Sequence, residues 1–349
     1  MTYAYVGCRT TKERNARGLG IQVYQVSQST GEWKHIQTLE NLVNPSYLAF
    51  DQTKNFLYSV HGDFSEISAF KVDMTSGKLS FINQVSTNGE NPVHLAVDKY
   101  NKNIVVANLQ TGNIAVIPIE EGSGRLLGVK HEFFIAGKAQ GAVSHPHQTM
   151  FDGTAEYLLV PAQGRKAGYS SLTILKLDSA HSALEQVGIV PTREIAEARH
   201  IVLHRNNKYA YLVNERDNTV CFYEFAEKTG ELIPKQVLPT LPETYTGEGQ
   251  ASGIVISKNG KYLYVSNRKH DSISMYTINQ DNGMLKYGEC VSTYGATPRF
   301  ITLGERDDVL YAANEDSDNI IRYIIRDNGT LAKDERVVRT GSPVCIVFR

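Results

Sequence analysis

The chain has ten histidines, and two of them flank a proline in the stretch Ser144-His145-Pro146-His147-Gln148. Imidazole both moves protons near neutral pH and ligates metals, so the stretch invites either reading. The other residues equipped for chemistry are Arg199 with His200, Glu215, Arg268, Arg299 and Glu315. Guanidinium stays charged at any working pH and grips carboxylates, phosphates and developing oxyanions through paired donors. A carboxylate or imidazole beside it can pass a proton to or from a reacting group. His145 and His147, two apart, would share one side of a strand, with His94 and His200 as further ligands, and that would suit a metal. Against it, Pro146 restricts His145 to extended backbone and Arg199 would repel a divalent cation, so neither a metal nor a cofactor is expected. No serine or cysteine stands beside an evident base, which favours direct attack of water on a carbonyl over an acyl-enzyme. Each residue also has a plainer role open to it. Arg199 and Glu215 can form a structural ion pair, Arg268 can pair with Glu315, and His147 can cap a backbone group.

What must position these residues is a repeat. A short apolar segment returns seven times, as in "YAYVG", "LYSVH", "IVVAN", "AYLVN", "LYVSN" and "LYAAN", with end points at residues 7, 61, 108, 161, 214, 267 and 314. A period near 50 residues is that of propeller blades of about four strands. Each segment follows another apolar run across a polar turn, and an alternating strand, a turn such as "TSGKL" or "DNGML" and a fourth strand come after it. The best helical candidate, "TREIAEARH", is too short to carry a helical layer. The C-terminal "SPVCIVF" matches a first strand and the N-terminal "YAYVG" a second, so both termini build the last blade and close the ring. The expected fold is an all-β, seven-bladed β-propeller over residues 1–349 as a single domain.

First and second strands run antiparallel, so the start of the first and the end of the second share one face of the disc. At the first-strand start the repeats carry Ser46, Val93, His147, Arg199, Ser252, Arg299 and Val344; after the second-strand end they carry Gly62, Leu109, Ala162, Glu215, Arg268, Glu315 and Cys8. Ionisable groups fall in consecutive repeats and converge on one mouth of the axial channel. A lopsided charged cleft in a near-symmetric scaffold is where a ligand is expected. Asn108, Asn214, Asn267 and Asn314 recur and are read as structural. "GEGQASG" precedes a strand rather than a helix, which excludes a phosphate loop.

Bulk composition narrows the partners. With 36 Lys plus Arg against 37 Asp plus Glu the net charge is −1, which argues against nucleic acid. No run approaches the roughly 20 apolar residues of a membrane span, and no leader is evident, so a cytoplasmic protein is expected. Cys8, Cys221, Cys290 and Cys345 are far apart and read as reduced thiols.

The chain resembles the seven-bladed propeller lactonase family, which includes propeller-type 6-phosphogluconolactonase and 3-carboxy-cis,cis-muconate lactonising enzyme. The resemblance runs over the whole chain and is carried by "YVG" with "GLGIQVYQV", "HPH" at His145 to His147, "RHIVLH" from Arg199, "LVNE" ending at Glu215, "YLYVSNRKHDSI" from Tyr262 and "PRF" from Pro298. It implies a site of His147, with His145 as second choice, Arg199, Glu215 and Arg268, the four that the blade comparison selects. His145, His200, Arg299 and Glu315 are assigned to substrate binding. The chain departs from the family pattern at Ala198, in "VPAQGRKAGY" and in "GKAQGAVS". The reading is a metal-independent lactonase acting on a small anionic sugar-acid lactone, with Glu215 or His147 taking the proton from water. The alternatives are a lactonising cycloisomerase and a non-catalytic propeller that binds a partner.

Overall fold

The computed structural model describes residues 2–349, and the seven apolar segments are the second strands of seven antiparallel sheets. The first blade comprises Pro45–Phe50, Phe56–His61, Glu66–Val72 and Leu79–Ser86. The second has Pro92–Val97, Asn103–Asn108, Asn113–Pro118 and His131–Phe134. In the third, a first strand broken into His145–Pro146 and Met150–Phe151 precedes Leu158–Gln163, Ser171–Asp178 and Ala183–Pro191. The fourth runs Ala198–Leu203, Tyr209–Asn214, Thr219–Ala226 and Glu231–Pro239; the fifth Gln250–Ile256, Tyr262–Arg268, Ser272–Ile278 and Leu285–Ser292. The sixth is Pro298–Leu303, Val309–Asn314, Asn319–Ile325 and Leu331–Arg339. Pro343–Phe348 then pairs with Thr2–Cys8, and Ile21–Val26 and Trp33–Leu39 complete the seventh blade. That pairing of the two ends closes the ring as expected, and Pro343–Phe348 packs back on Pro45–Phe50. "TREIAEARH" is strand and turn; helix among the described residues is limited to two short 3-10 turns, Lys12–Arg14 and Glu315–Ser317.

The core lies between blades rather than under a single layer. Second strands such as Asn103–Asn108 and Tyr209–Asn214 are buried throughout, because each is covered by a blade on either side. Tyr157, Leu159 and Leu172 of the third blade, for example, pack with Ile201, Leu212 and Phe225 of the fourth. A repeated polar latch fixes the spacing. Tyr5, Tyr211 and Tyr264 hydroxyls donate to the carbonyls of Gly77, Gly283 and Gly329, each in the third-to-fourth-strand turn of the next blade. Those turns need glycine twice over, since Gly77 and Gly329 have φ of +72° and +85° and a Cβ there would lie 2.3 Å from the rings of Tyr3 and Tyr262. Three of the four recurrent asparagines tie their second strand to the loop ahead of the blade, Asn108, Asn267 and Asn314 donating to the carbonyls of Thr87, Thr240 and Thr293, while Asn214 donates to Thr219 Oγ1 of its own blade. They are structural, as their recurrence suggested. All four cysteines are free.

Candidate active site

One local irregularity aims side chains into the channel. In the first strands of five blades the ladder skips one residue, between Pro45 and Tyr47, Pro92 and His94, Ala198 and His200, Pro298 and Phe300, and Pro343 and Cys345. The residue left out of the ladder is Ser46, Val93, Arg199, Arg299 or Val344. A bulge bends its strand and re-aims the extra side chain, here inward. In the third blade the interruption is longer, from His147 to Thr149, and it frees His147 in the same way. Arg9, Ser46, His147, Arg199, His200 and Arg299 line one internal cavity of about 20 Å³, room for about one water. Tyr47, His200 and Phe300 line both this cavity and a wider funnel of about 560 Å³ towards the opposite face.

Glu215 is the hub of the charged groups. Its Oε2 accepts from Arg199 Nε at 3.1 Å and Gln163 Nε2 at 3.0 Å; its Oε1 accepts from Gln250 Nε2 at 2.8 Å and lies 3.0 Å from Arg268 Nη2. Burial opposes ionisation of this carboxyl, but Arg268 and Arg199 outweigh it and hold it far below the usual carboxylate range. Glu215 is therefore a fixed anion with its lone pairs engaged. His147 Nε2 stands 4.0 Å from Glu215 Oε2, while its Nδ1 is buried without a partner. Burial, then Arg199, pushes His147 well below the ordinary histidine range, so it is neutral at pH 7. His200 is lowered by burial and Arg199 too. Its Nδ1 lies 3.4 Å from Arg199 Nη1, and its ring meets those of His147 and His94 edge-on at 5.1 Å and 5.8 Å.

The sequence-selected residues fall into three groups. His147, Arg199, Glu215 and Arg268 meet around one carboxylate, with His200 against them. Arg299 and Glu315 form a second cluster beside it, 3.5 Å apart, with Arg9 Nε 4.0 Å from Glu315. Arg268 pairs with Glu215, and Glu315 takes Arg299 and Arg9 instead. His145 is turned away: it is half-buried and donates from Nδ1 to the Leu109 carbonyl at 2.8 Å. It does not line the cavity with His147.

Two residues of the site escaped the sequence comparison. In the third blade Pro146 pairs with Ala162, and in the seventh Pro343 pairs with Cys8, so the segments end at Ala162 and Cys8 rather than at Pro161 and Gly7. The residues equivalent to Glu215 are then Gln163 and Arg9, in place of Ala162 and Cys8. Gln163 has its Oε1 held by Arg165, which turns its amide nitrogen to Glu215. Arg9 is 3% exposed and lies 3.0 Å from Asp63. With the frame corrected, the fourth, fifth, sixth and seventh blades each contribute an arginine to the mouth.

The described residues hold no cluster of three or more His, Cys, Asp or Glu arranged for a metal, and no helix among them is long and apolar enough to cross a membrane. Residues 3–348 match the family model described as a seven-bladed β-propeller lactonase. The chain belongs to this lactonase family. It is 30% identical to a 6-phosphogluconolactonase of Bacillus subtilis over 94% of both chains, and 28% identical to one of Formosa agariphila over 91% of both. A Bacteroides fragilis structure provisionally assigned as a 6-phosphogluconolactonase superposes with a TM-score of 0.88 at 27% identity, covering 100% of this chain and 98% of that one. The periplasmic gluconolactonase of Pseudomonas aeruginosa, at 24% identity over 100% of this chain and 99% of that one, has the same fold with a TM-score of 0.88. Fold and lactonase class thus agree with the sequence reading, at the level of a sugar-lactone hydrolase.

Proposed function

We propose that this lactonase hydrolyses an anionic sugar-acid lactone, of the aldono-, aldaro- or phosphogluconolactone type, by direct attack of water in the axial site. The observation that carries the proposal is the neutral His147 imidazole set against a fixed Glu215 carboxylate inside a ring of arginines. His147 Nδ1 is closed to water, so Nε2, 4.0 Å from Glu215 Oε2, is the nitrogen whose lone pair accepts a proton. Water gives that proton to His147 as its oxygen bonds to the lactone carbonyl carbon, and Glu215 stabilises the imidazolium so formed. Charge developing on the carbonyl oxygen falls to Arg199, whose Nε and Nη1 are held by Glu215 and the Ser252 carbonyl while Nη2 is left for a ligand. Collapse of the tetrahedral intermediate breaks the bond to the ring oxygen, and the His147 proton passes to that alkoxide. No group needs to change charge except His147.

This division of roles differs from an even choice between Glu215 and His147 as base. A carboxylate whose lone pairs are taken by two arginines and two amides has none left for the step, whereas the neutral His147 imidazole offers one. The test is a pH-stat panel of aldono-, aldaro- and phosphorylated lactones with the spontaneous rate subtracted, using wild type and Arg199→Ala. Hydrolysis by wild type and a loss of two orders of magnitude in the variant support the proposal; equal rates overturn it. A muconate followed by loss of ultraviolet absorbance reads the cycloisomerase alternative.

A further inference from the structure

We infer that Arg9 and Arg299 form a second oxyanion subsite, across the channel mouth from the reacting carbonyl, that takes a phosphate or carboxylate on the far end of the lactone. The inference rests on the lactonase reading and adds to it the residues that select for charge. Arg268 is committed to Glu215, and the one arm that Arg199 keeps free of Glu215 and the Ser252 carbonyl serves the reacting carbonyl. Across the mouth the pairing is looser. Arg299 has one long contact, at 3.5 Å, to Glu315, and its side chain keeps 21% of its exposure. Arg9 reaches Asp63 through Nη1, while its Nε is buried with no hydrogen-bond partner and has Glu315 Oε1 only at 4.0 Å.

Ser46 Oγ, on the same cavity wall, is likewise buried without a partner. Arg9 Nη1 and Ser46 Oγ both crowd the space above Gly62, where a Cβ would lie 2.6 Å from either. A glycine at the position equivalent to Glu215 thus opens the slot that Arg9 fills. Burial, then the Arg299 charge, pushes Arg9 down to about 10, so it remains charged at neutral pH while repelled by its neighbour. An anion bound between the two would relieve that repulsion and supply the missing acceptor.

The subsite is also rigid. Arg9 N donates to the Ser342 carbonyl, the Arg9 carbonyl accepts from Gly18 N, and the next residue, Thr10, donates its N–H to Asn44 Oδ1. The loop that follows is pinned to the first blade by Arg14 on Asp63 and to the sixth by Arg17 on Asp318. Because Arg14 also holds Asp63, removing the Arg9 charge does not leave that carboxylate alone.

The experiment compares wild type, Arg9→Gln and Arg9→Lys in two readouts. Calorimetric titration with 6-phosphogluconate and with gluconate reads the subsite without catalysis, and kcat/KM for 6-phosphoglucono- and gluconolactone reads its selectivity. The expected result is a ratio of phosphorylated to unphosphorylated ligand that falls about 10- to 50-fold in Arg9→Gln, in both readouts, and is partly restored in Arg9→Lys. Losses equal for both ligands, or no change in either, overturn the subsite. If wild type hydrolyses no lactone yet binds 6-phosphogluconate through Arg9, the lactonase reading falls and the subsite stands. If it hydrolyses lactones and the ratio is unmoved, the reverse holds.

Discussion

Glu215→Gln changes one oxygen of the hub to an amide nitrogen and nothing in its size. The carboxylate faces donors on both sides, Arg199 and Gln163 at Oε2 and Gln250 and Arg268 at Oε1. A glutamine can accept on one side only, and on the other its amide points N–H at two more donors. Two buried guanidiniums then lose their counter-charge. Breaking a buried pair by removing one partner costs about 3–5 kcal/mol. At about 2.1 cal/mol/K per residue, 349 residues give an unfolding entropy of about 0.7 kcal/mol/K, so Tm should fall by about 4–7 °C. Calorimetric melts of wild type and Glu215→Gln at pH 7.5 and fixed salt check this. Active-site charges are often held at a cost in stability, and if that were true here the variant would melt at or above the wild-type temperature. That outcome would refute the claim that Glu215 is the structural counter-ion of the site.

Other outcomes follow from the same geometry. Gln163→Leu removes one charge-assisted hydrogen bond, worth about 1.5–3 kcal/mol, and should lower Tm by about 2–4 °C; an unchanged melt contradicts its place in the site. Because His147 is lowered well below 6.5, it is already in its basic form at pH 6.5. After correction for spontaneous hydrolysis, kcat/KM should stay flat from pH 8 to pH 6 and fall only at more acid pH, and an acid limb centred near 7 would count against the assignment. His94 is pushed from 6.5 down to about 3 by burial and then Arg199. Between those values the unfolded chain binds a proton that the folded one refuses, so stability is lost as pH falls through that window, by at most about 1.4 kcal/mol per pH unit for this group. Urea unfolding of His94→Gln from pH 7 to pH 4 should show a shallower slope than wild type.

The fold was legible because it is written seven times. One blade would be an ambiguous set of short strands, but the repeat and the complementary termini leave a closed ring as the reading. The candidate site was legible where a blade departs from the others at a fixed position, as Arg199 and Arg299 do against Ser46 and Val93. It was misread where the marker asparagine is missing. The step from Pro92 to Asn108 and from Pro298 to Asn314 is 16 residues, and the same step from Pro146 lands on Ala162, which would have exposed Gln163. No such step exists for Arg9, since the chain ends fall inside its blade and only the pairing of Pro343 with Cys8 sets the frame. Nor does a sequence pattern reveal that four donors meet on Glu215, or that Arg268 turns to it rather than to Glu315. Those choices depend on where neighbouring blades put their side chains in space.

The most direct test of the account is the rate of lactone hydrolysis by wild type and His147→Asn, with both proteins shown to melt alike and the uncatalysed rate subtracted. A positioned general base contributes about 10²–10⁴-fold, so kcat should fall by that factor while the arginine cluster still binds substrate. A variant within about twofold of wild type would show that His147 does not take the proton from water, and the mechanism built on it would fall.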